Sequence, residues 1–137
     1  MPALTGVLET ALHVEDLPRS VAFYRSVFGL EAMAGDARFC AFPVAGRQVL
    51  LLFKKGASTR PMPVPGGVIP PHDGAGRMHM AFAIPRADLE AWEARLREHG
   101  VAVESRVTWP AGGVSLYFRD PDGHLLELAT PGIWPVY

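Results

Sequence analysis

The 137-residue sequence predicts an α+β chain of two tandem βαβββ units, forming a curved mixed sheet or half-barrel with helices outside. Three observations carry this prediction. Strand-like alternation gives way to helical spacing and then to short strands, and the cycle runs twice. A stretch rich in proline and glycine separates the two runs. The runs also overlay: VLETALHVEDL on RMHMAFAIPRADL with a slip of one or two residues, SVFGLEA on REHGVAV, and QVLLLF on HLLELA. A βαβββ unit is too small to bury both faces of its sheet alone. Paired units, within one chain or between chains, solve this by sharing a core.

In the first unit, residues 5–53, alternation from residue 7 to Val14 reads as a strand. Asp16 then suits a helix N-cap and Pro18 the first turn. Val21, Tyr24 and Phe28 recur at helical spacing with Val27 beside them, and Gly29 sits where a C′ glycine ends a helix. Three short strands follow at 31–34, 37–43 and 47–53, punctuated by Gly35-Asp36 and Ala45-Gly46. Residues 54–76 carry five prolines and five glycines, which reads as a linker or lid without regular structure.

The second unit, residues 77–131, opens on the strand MHMAFAI. Its helix, RADLEAWEARLREHG, puts Leu89, Trp92 and Leu96 on one face and ends at Gly100. Strands at Val101–Val107 and Gly113–Phe118, the tight turn Asp120–Gly123 and a last strand HLLELAT complete it. The tail PGIWPVY is expected to pack across the surface through Trp134. All of this fits one domain, residues 1–137.

Composition narrows the function classes. The formal net charge of -1 provides no basic field for nucleic acid or anionic lipid. No apolar run approaches the roughly 20 residues that span a bilayer. The N-terminus lacks a basic region followed by a cleavage site, so a cytoplasmic protein is expected. Cys40 is the one cysteine, which excludes an intrachain disulfide and a Cys-rich zinc site, and it reads as a small buried thiol.

The duplication also organises the chemistry. Glu9 and His79 occupy the same repeat position, early in the first strand of each unit. Glu127 and Leu51 share another, in the last strand. A pseudo-twofold would gather these four positions in one cleft, and three of them can bind a metal ion. Two carboxylates and an imidazole suit a first-row divalent cation with open positions. Glu127 lies among leucines, where an unpaired carboxylate is costly and needs a cation or strong donors. His13 shares strand parity with Glu9, but four residues of strand separate them by about 13 Å. His72 reads as a solvated loop histidine that could instead cover the cleft, and His99 and His124 as helix-end and turn residues. Trp109, Tyr117 and Phe53 are candidate pocket walls, and Arg47, Arg106 and Arg119 candidate anchors for an anion.

Three segments, HVEDLPRSVAFYRSVFGL, RMHMAFAI and LYFRDPDGHLLELATPG, resemble the vicinal oxygen chelate superfamily of glyoxalases, bleomycin-resistance proteins, extradiol dioxygenases and fosfomycin-resistance transferases. The resemblance implies the glyoxalase/bleomycin-resistance/dioxygenase fold, a homodimer, a small-molecule substrate chelated through vicinal oxygens, and one divalent ion (Zn, Ni, Mn, Co or Fe). Carried over by position, the metal ligands are Glu9, His79 and Glu127, and Glu9 or Glu127 is a candidate catalytic base. The reaction implied is that of a metal-dependent lyase, isomerase or transferase. Glu9 stands where extradiol dioxygenases and fosfomycin transferases usually carry histidine, and ring cleavage, which usually needs a two-histidine triad, ranks lower. Leu51 stands where glyoxalase I has its fourth ligand. A non-catalytic drug-binding protein of the bleomycin-resistance type is the alternative.

Overall fold

The structure is a computed structural model that describes residues 1–137 and divides into two units, Met1–Ala75 and Gly76–Tyr137. In the first, β1 (Glu9–Val14) leads through Asp16 into α1 (Leu17–Phe28). The Asp16 carboxylate accepts from the Arg19 backbone N–H at 3.0 Å, which satisfies an otherwise orphaned helix donor. Gly29 ends the helix at φ 68°, its N–H donating to the Arg25 carbonyl. Then come β2 (Ala34–Gly35), β3 (Phe39–Val44) and β4 (Gln48–Lys54). They order as β1-β4-β3-β2, with β1 parallel to β4 and the remaining pairs antiparallel.

The second unit repeats this plan. β7 (His79–Ala83) is followed by a single 3-10 turn at Arg86–Asp88 and by α2 (Leu89–Glu98). Next come β8 (Ser105–Thr108), β9 (Val114–Arg119) and β10 (Leu125–Ala129). The order is β7-β10-β9-β8, again with one parallel pair. Each unit is thus an α+β element with a mixed sheet.

Pleating assigns each strand residue to one of two faces. In the second sheet Leu116, Phe118, Leu126 and Leu128 share one face and are fully buried, as is Leu96 of α2. Leu12, Val14, Phe42, Leu50 and Leu52 play the same part in the first sheet, with Tyr24 and Val27 of α1 also buried. Each such side chain contributes about 1.5–3 kcal/mol by leaving water.

Several elements differ from the sequence-based expectation. The buried stripe of α1 is Leu17, Ser20, Tyr24 and Val27, rotated from the expected one so that Val21 and Phe28 are only partly covered. The strand expected at 31–34 contracts to Ala34–Gly35, and the one at 101–107 begins only at Ser105. The segment 54–76 is not structureless. It carries a hairpin, β5 (Met62–Val64) and β6 (Gly67–Ile69), turned by Pro65-Gly66. Proline presets φ at the first turn position and glycine tolerates the second, so the turn signal outweighed the proline content. Trp134 does not anchor the tail, being 69% exposed. Tyr137 does, through its hydroxyl against the Ile84 and Ala129 carbonyls.

Candidate functional site

The strand ladders make the repeat equivalence exact to the residue. Glu9 pairs with Val49 across β1 and β4, and His79 pairs with Leu125 across β10 and β7. Two residues on, Ala11 faces Leu51 and Ala81 faces Glu127. Glu9 and Leu51 therefore share the sheet face opposite the first core, as His79 and Glu127 do in the second unit.

In the second unit that face carries Ser115 and Tyr117 of β9, His79 of β7 and Glu127 of β10. The Nε2 atom of His79 lies 3.3 Å from Oε2 of Glu127. The Glu127 side chain is 9% exposed and that of His79 is 51% exposed, so the imidazole is the solvent-accessible partner. His79 Nδ1 is 2.8 Å from the Leu125 carbonyl. A carbonyl oxygen only accepts, so Nδ1 carries a proton and Nε2 is the ring atom turned to the carboxylate. Two lone pairs cannot face each other at that distance unless a second ring proton or a cation lies between them.

The separation itself suits a shared ion. Donors about 2.1 Å from one centre stand roughly 3.0 Å apart at octahedral angles and roughly 3.4 Å apart at tetrahedral ones. The residues present therefore fit a divalent cation. Within neither unit does a third His, Cys, Asp or Glu side chain join such a pair. Glu9 sits exposed at the start of β1 in the first unit.

The other oxygen of Glu127 is already engaged. Ser115 Oγ donates to Oε1 at 2.5 Å, and Trp109 Nε1 donates to Ser115 Oγ at 2.8 Å. Ser115 is fully buried. The sequence reading missed it. Its one signal was strand parity: Ser115 shares a face with Tyr117, which pairs directly with Glu127. Burial raises the Tyr117 phenol above its ordinary value; the Ser115 hydrogen bond partly offsets this, and the Glu127 charge adds to it. The His79 and Tyr117 rings lie 6.3 Å apart, tilted by 32°.

The remaining candidates are placed elsewhere or engaged. Arg106 pairs with Glu93 at 3.0 Å and Arg119 with Glu104 at 2.9 Å, so both proposed anion anchors are neutralised locally. Arg47 is exposed beside the Ala45-Gly46 turn. Trp109 acts through its indole N–H rather than as a bare wall. Phe53 packs in the first unit, 5.8 Å from the His13 ring and 4.5 Å from that of His72. His72 is exposed yet caps this aromatic cluster, so it is more than a solvated loop residue. His13 is buried beneath it, and Gly74 lies so close that any Cβ there would overlap the imidazole. His124 is fully buried, accepting at Nδ1 from the Met78 N–H at 2.8 Å, which ties the Asp120–Gly123 turn to the start of β7. His99 hydrogen-bonds the Arg95 carbonyl at the end of α2. Cys40 is buried, and burial pushes its thiol up, away from nucleophilic use.

These features define a small α+β protein built from a repeated βαβββ unit, with an imidazole–carboxylate pair on one sheet face. The chain belongs to the Glyoxalase/Bleomycin resistance protein/Dioxygenase superfamily, matched over residues 6–128. It is similar to metallothiol transferase FosB of Bacillus licheniformis, 30% identical over 132 residues covering 96% of this chain and 79% of that protein. It is 31% identical over 118 residues to catechol-2,3-dioxygenase of Bacillus subtilis, covering 85% of this chain and 38% of that protein. The crystal structure of lactoylglutathione lyase from Agrobacterium tumefaciens superposes with a TM-score of 0.88 at 34% identity, over 98% of this chain and 99% of that one. No helix is long and apolar enough to cross a membrane.

Proposed function

We propose that this chain is a metal-dependent lyase, isomerase or transferase of the glyoxalase type, acting as a cytoplasmic homodimer on a small substrate with two adjacent oxygens. The observation that carries the reading is the approach of His79 Nε2 to Glu127 Oε2 with Nδ1 already committed to a carbonyl. Relatives named metallothiol transferase and lactoylglutathione lyase support the reaction class. His79 and Glu127 supply two donors, and Glu9 of a first unit supplies the third. A divalent cation bound there supplies Lewis acidity to the substrate oxygens. The protein's part is to hold the imidazole and carboxylate in place, to exclude water on the core side, and to present a carboxylate to a substrate proton next to a carbonyl. Leu51, equivalent to Glu127 by register, contributes no fourth donor.

Metal analysis of untagged protein tests this. About one divalent ion per chain is expected, lost in His79→Ala and Glu127→Gln. Failure to bind any ion after reconstitution with Mn, Fe, Co, Ni and Zn would overturn the metal site and favour a drug-binding protein. Loaded protein would then be assayed with hemithioacetals, hydroxy-ketones and catechols.

A further inference from the structure

The two glutamates of the proposed site are not equivalent, and the difference lies in what holds them. Ser115 has a single hydroxyl proton. Trp109 Nε1–H is a donor only, so its 2.8 Å contact with Ser115 Oγ uses a hydroxyl lone pair and leaves the proton for Glu127. The indole therefore donates to the hydroxyl and the hydroxyl to Oε1, with the Tyr117 phenol hydrogen-bonded beside both Ser115 and Glu127. Ser115 is fully buried and Glu127 nearly so, where low dielectric strengthens both bonds.

From this geometry we infer that Trp109 and Ser115 are positioning residues that lock Glu127 as a ligand through Oε2 alone. Oε1 is held by a charge-assisted bond and cannot swing to the ion. The Glu127 carboxylate is thereby fixed in rotation and unsuited to leave the ion and take a substrate proton. This inference rests on the metal-site reading.

Ser115→Ala and Trp109→Phe test it; the second variant keeps the ring volume and removes only the donor. Apo protein of each is titrated with Co(II) while affinity and visible absorption are recorded, and apo melting temperature is measured alongside. Affinity is expected to fall about 10–100-fold in Ser115→Ala, the usual effect of losing such an outer partner, and less in Trp109→Phe. The freed Oε1 can then also bind, so the visible Co(II) bands of Ser115→Ala are expected to weaken as coordination number rises. Wild-type affinity and spectrum in both variants would overturn the relay. An affinity loss with an unchanged spectrum and a matching fall in apo melting temperature would also overturn it, marking Ser115 as structural. Failure of the wild-type protein itself to bind Co(II) would overturn the metal site, and the relay with it.

Discussion

Individual side chains in this protein are set by which groups can donate and which can only accept. His79 shows the rule at the site: one carbonyl contact places a proton on Nδ1 and turns Nε2 toward Glu127. Asp36 shows it in a turn. Its Oδ1 accepts from the Arg38 backbone N–H at 2.7 Å, and Oδ2 from the Arg38 guanidinium at 2.9 Å. Those bonds, the backbone one foremost, hold its carboxyl below the ordinary carboxylate value. A carboxyl depressed in the folded state stabilises the fold above its unfolded value, and that contribution disappears as pH falls through the folded one. The melting temperature of Asp36→Ala is thus expected to lie slightly below wild type from pH 7 to about pH 5. The gap should close as pH falls below about 4, where both states take up the proton. A gap that persists at pH 2.5 would show that the charge is not what matters. Asp16, Gly29 and the Asp120–Gly123 turn were legible in the sequence because caps and turns depend on residues a few positions apart. Ser115 was not, since its role depends on partners six and twelve residues away.

At the scale of elements, the C-terminal tail is a strap tied by its last residue. Tyr137 directs one hydroxyl toward the Ile84 carbonyl at 3.1 Å and that of Ala129 at 2.9 Å, where β7 and β10 end. Gly132 lies against Gly113, and a Cβ on either would overlap the other's backbone, so the two close only as glycines. Removing the hydroxyl in Tyr137→Phe is expected to cost about 1 kcal/mol. Amide exchange should accelerate at Gly132 and Ile133, whose N–H groups face the Tyr137 carbonyl, and stay unchanged in β9. Equal acceleration throughout the sheet would mean that the tail is part of the core. Alternation and apolar runs located the long strands, while Trp134 misled because its size says nothing about where the tail lies. The β5–β6 hairpin was hidden by proline content, although its Pro65-Gly66 turn was visible.

For the chain as a whole, the proposed metal site rests on the equivalence of its two units. Equivalent ladders place a titratable side chain at the same position in each copy, Glu9 in one and His79 in the other. The second copy alone has two donors. Metal affinity is therefore expected to fall at least about tenfold in Glu9→Ala, with little change in apo stability because Glu9 is exposed. Unchanged affinity would remove Glu9 from the site. Mixing Glu9→Ala and His79→Ala chains reveals which copy supplies it. Recovery of about one loaded site per heterodimer assigns Glu9 to the partner, and no recovery keeps all three donors in one chain.

The repeated α+β plan, the helix ends, and the positions of Glu9, His79 and Glu127 within their strands could all be read from residue order alone. Those features follow from periodicity and local turn chemistry, which act over short separations. Folding in three dimensions was needed to reveal that Ser115, itself bonded by Trp109, holds Oε1 of Glu127, that Arg106 and Arg119 are occupied by glutamates, and that His13 belongs to an aromatic cluster. Hydrogen bonds and ion pairs form over about 3 Å, so they depend on strand register and side-chain rotamer together. A one-residue slip of β10 would turn Glu127 to the opposite face, away from Ser115.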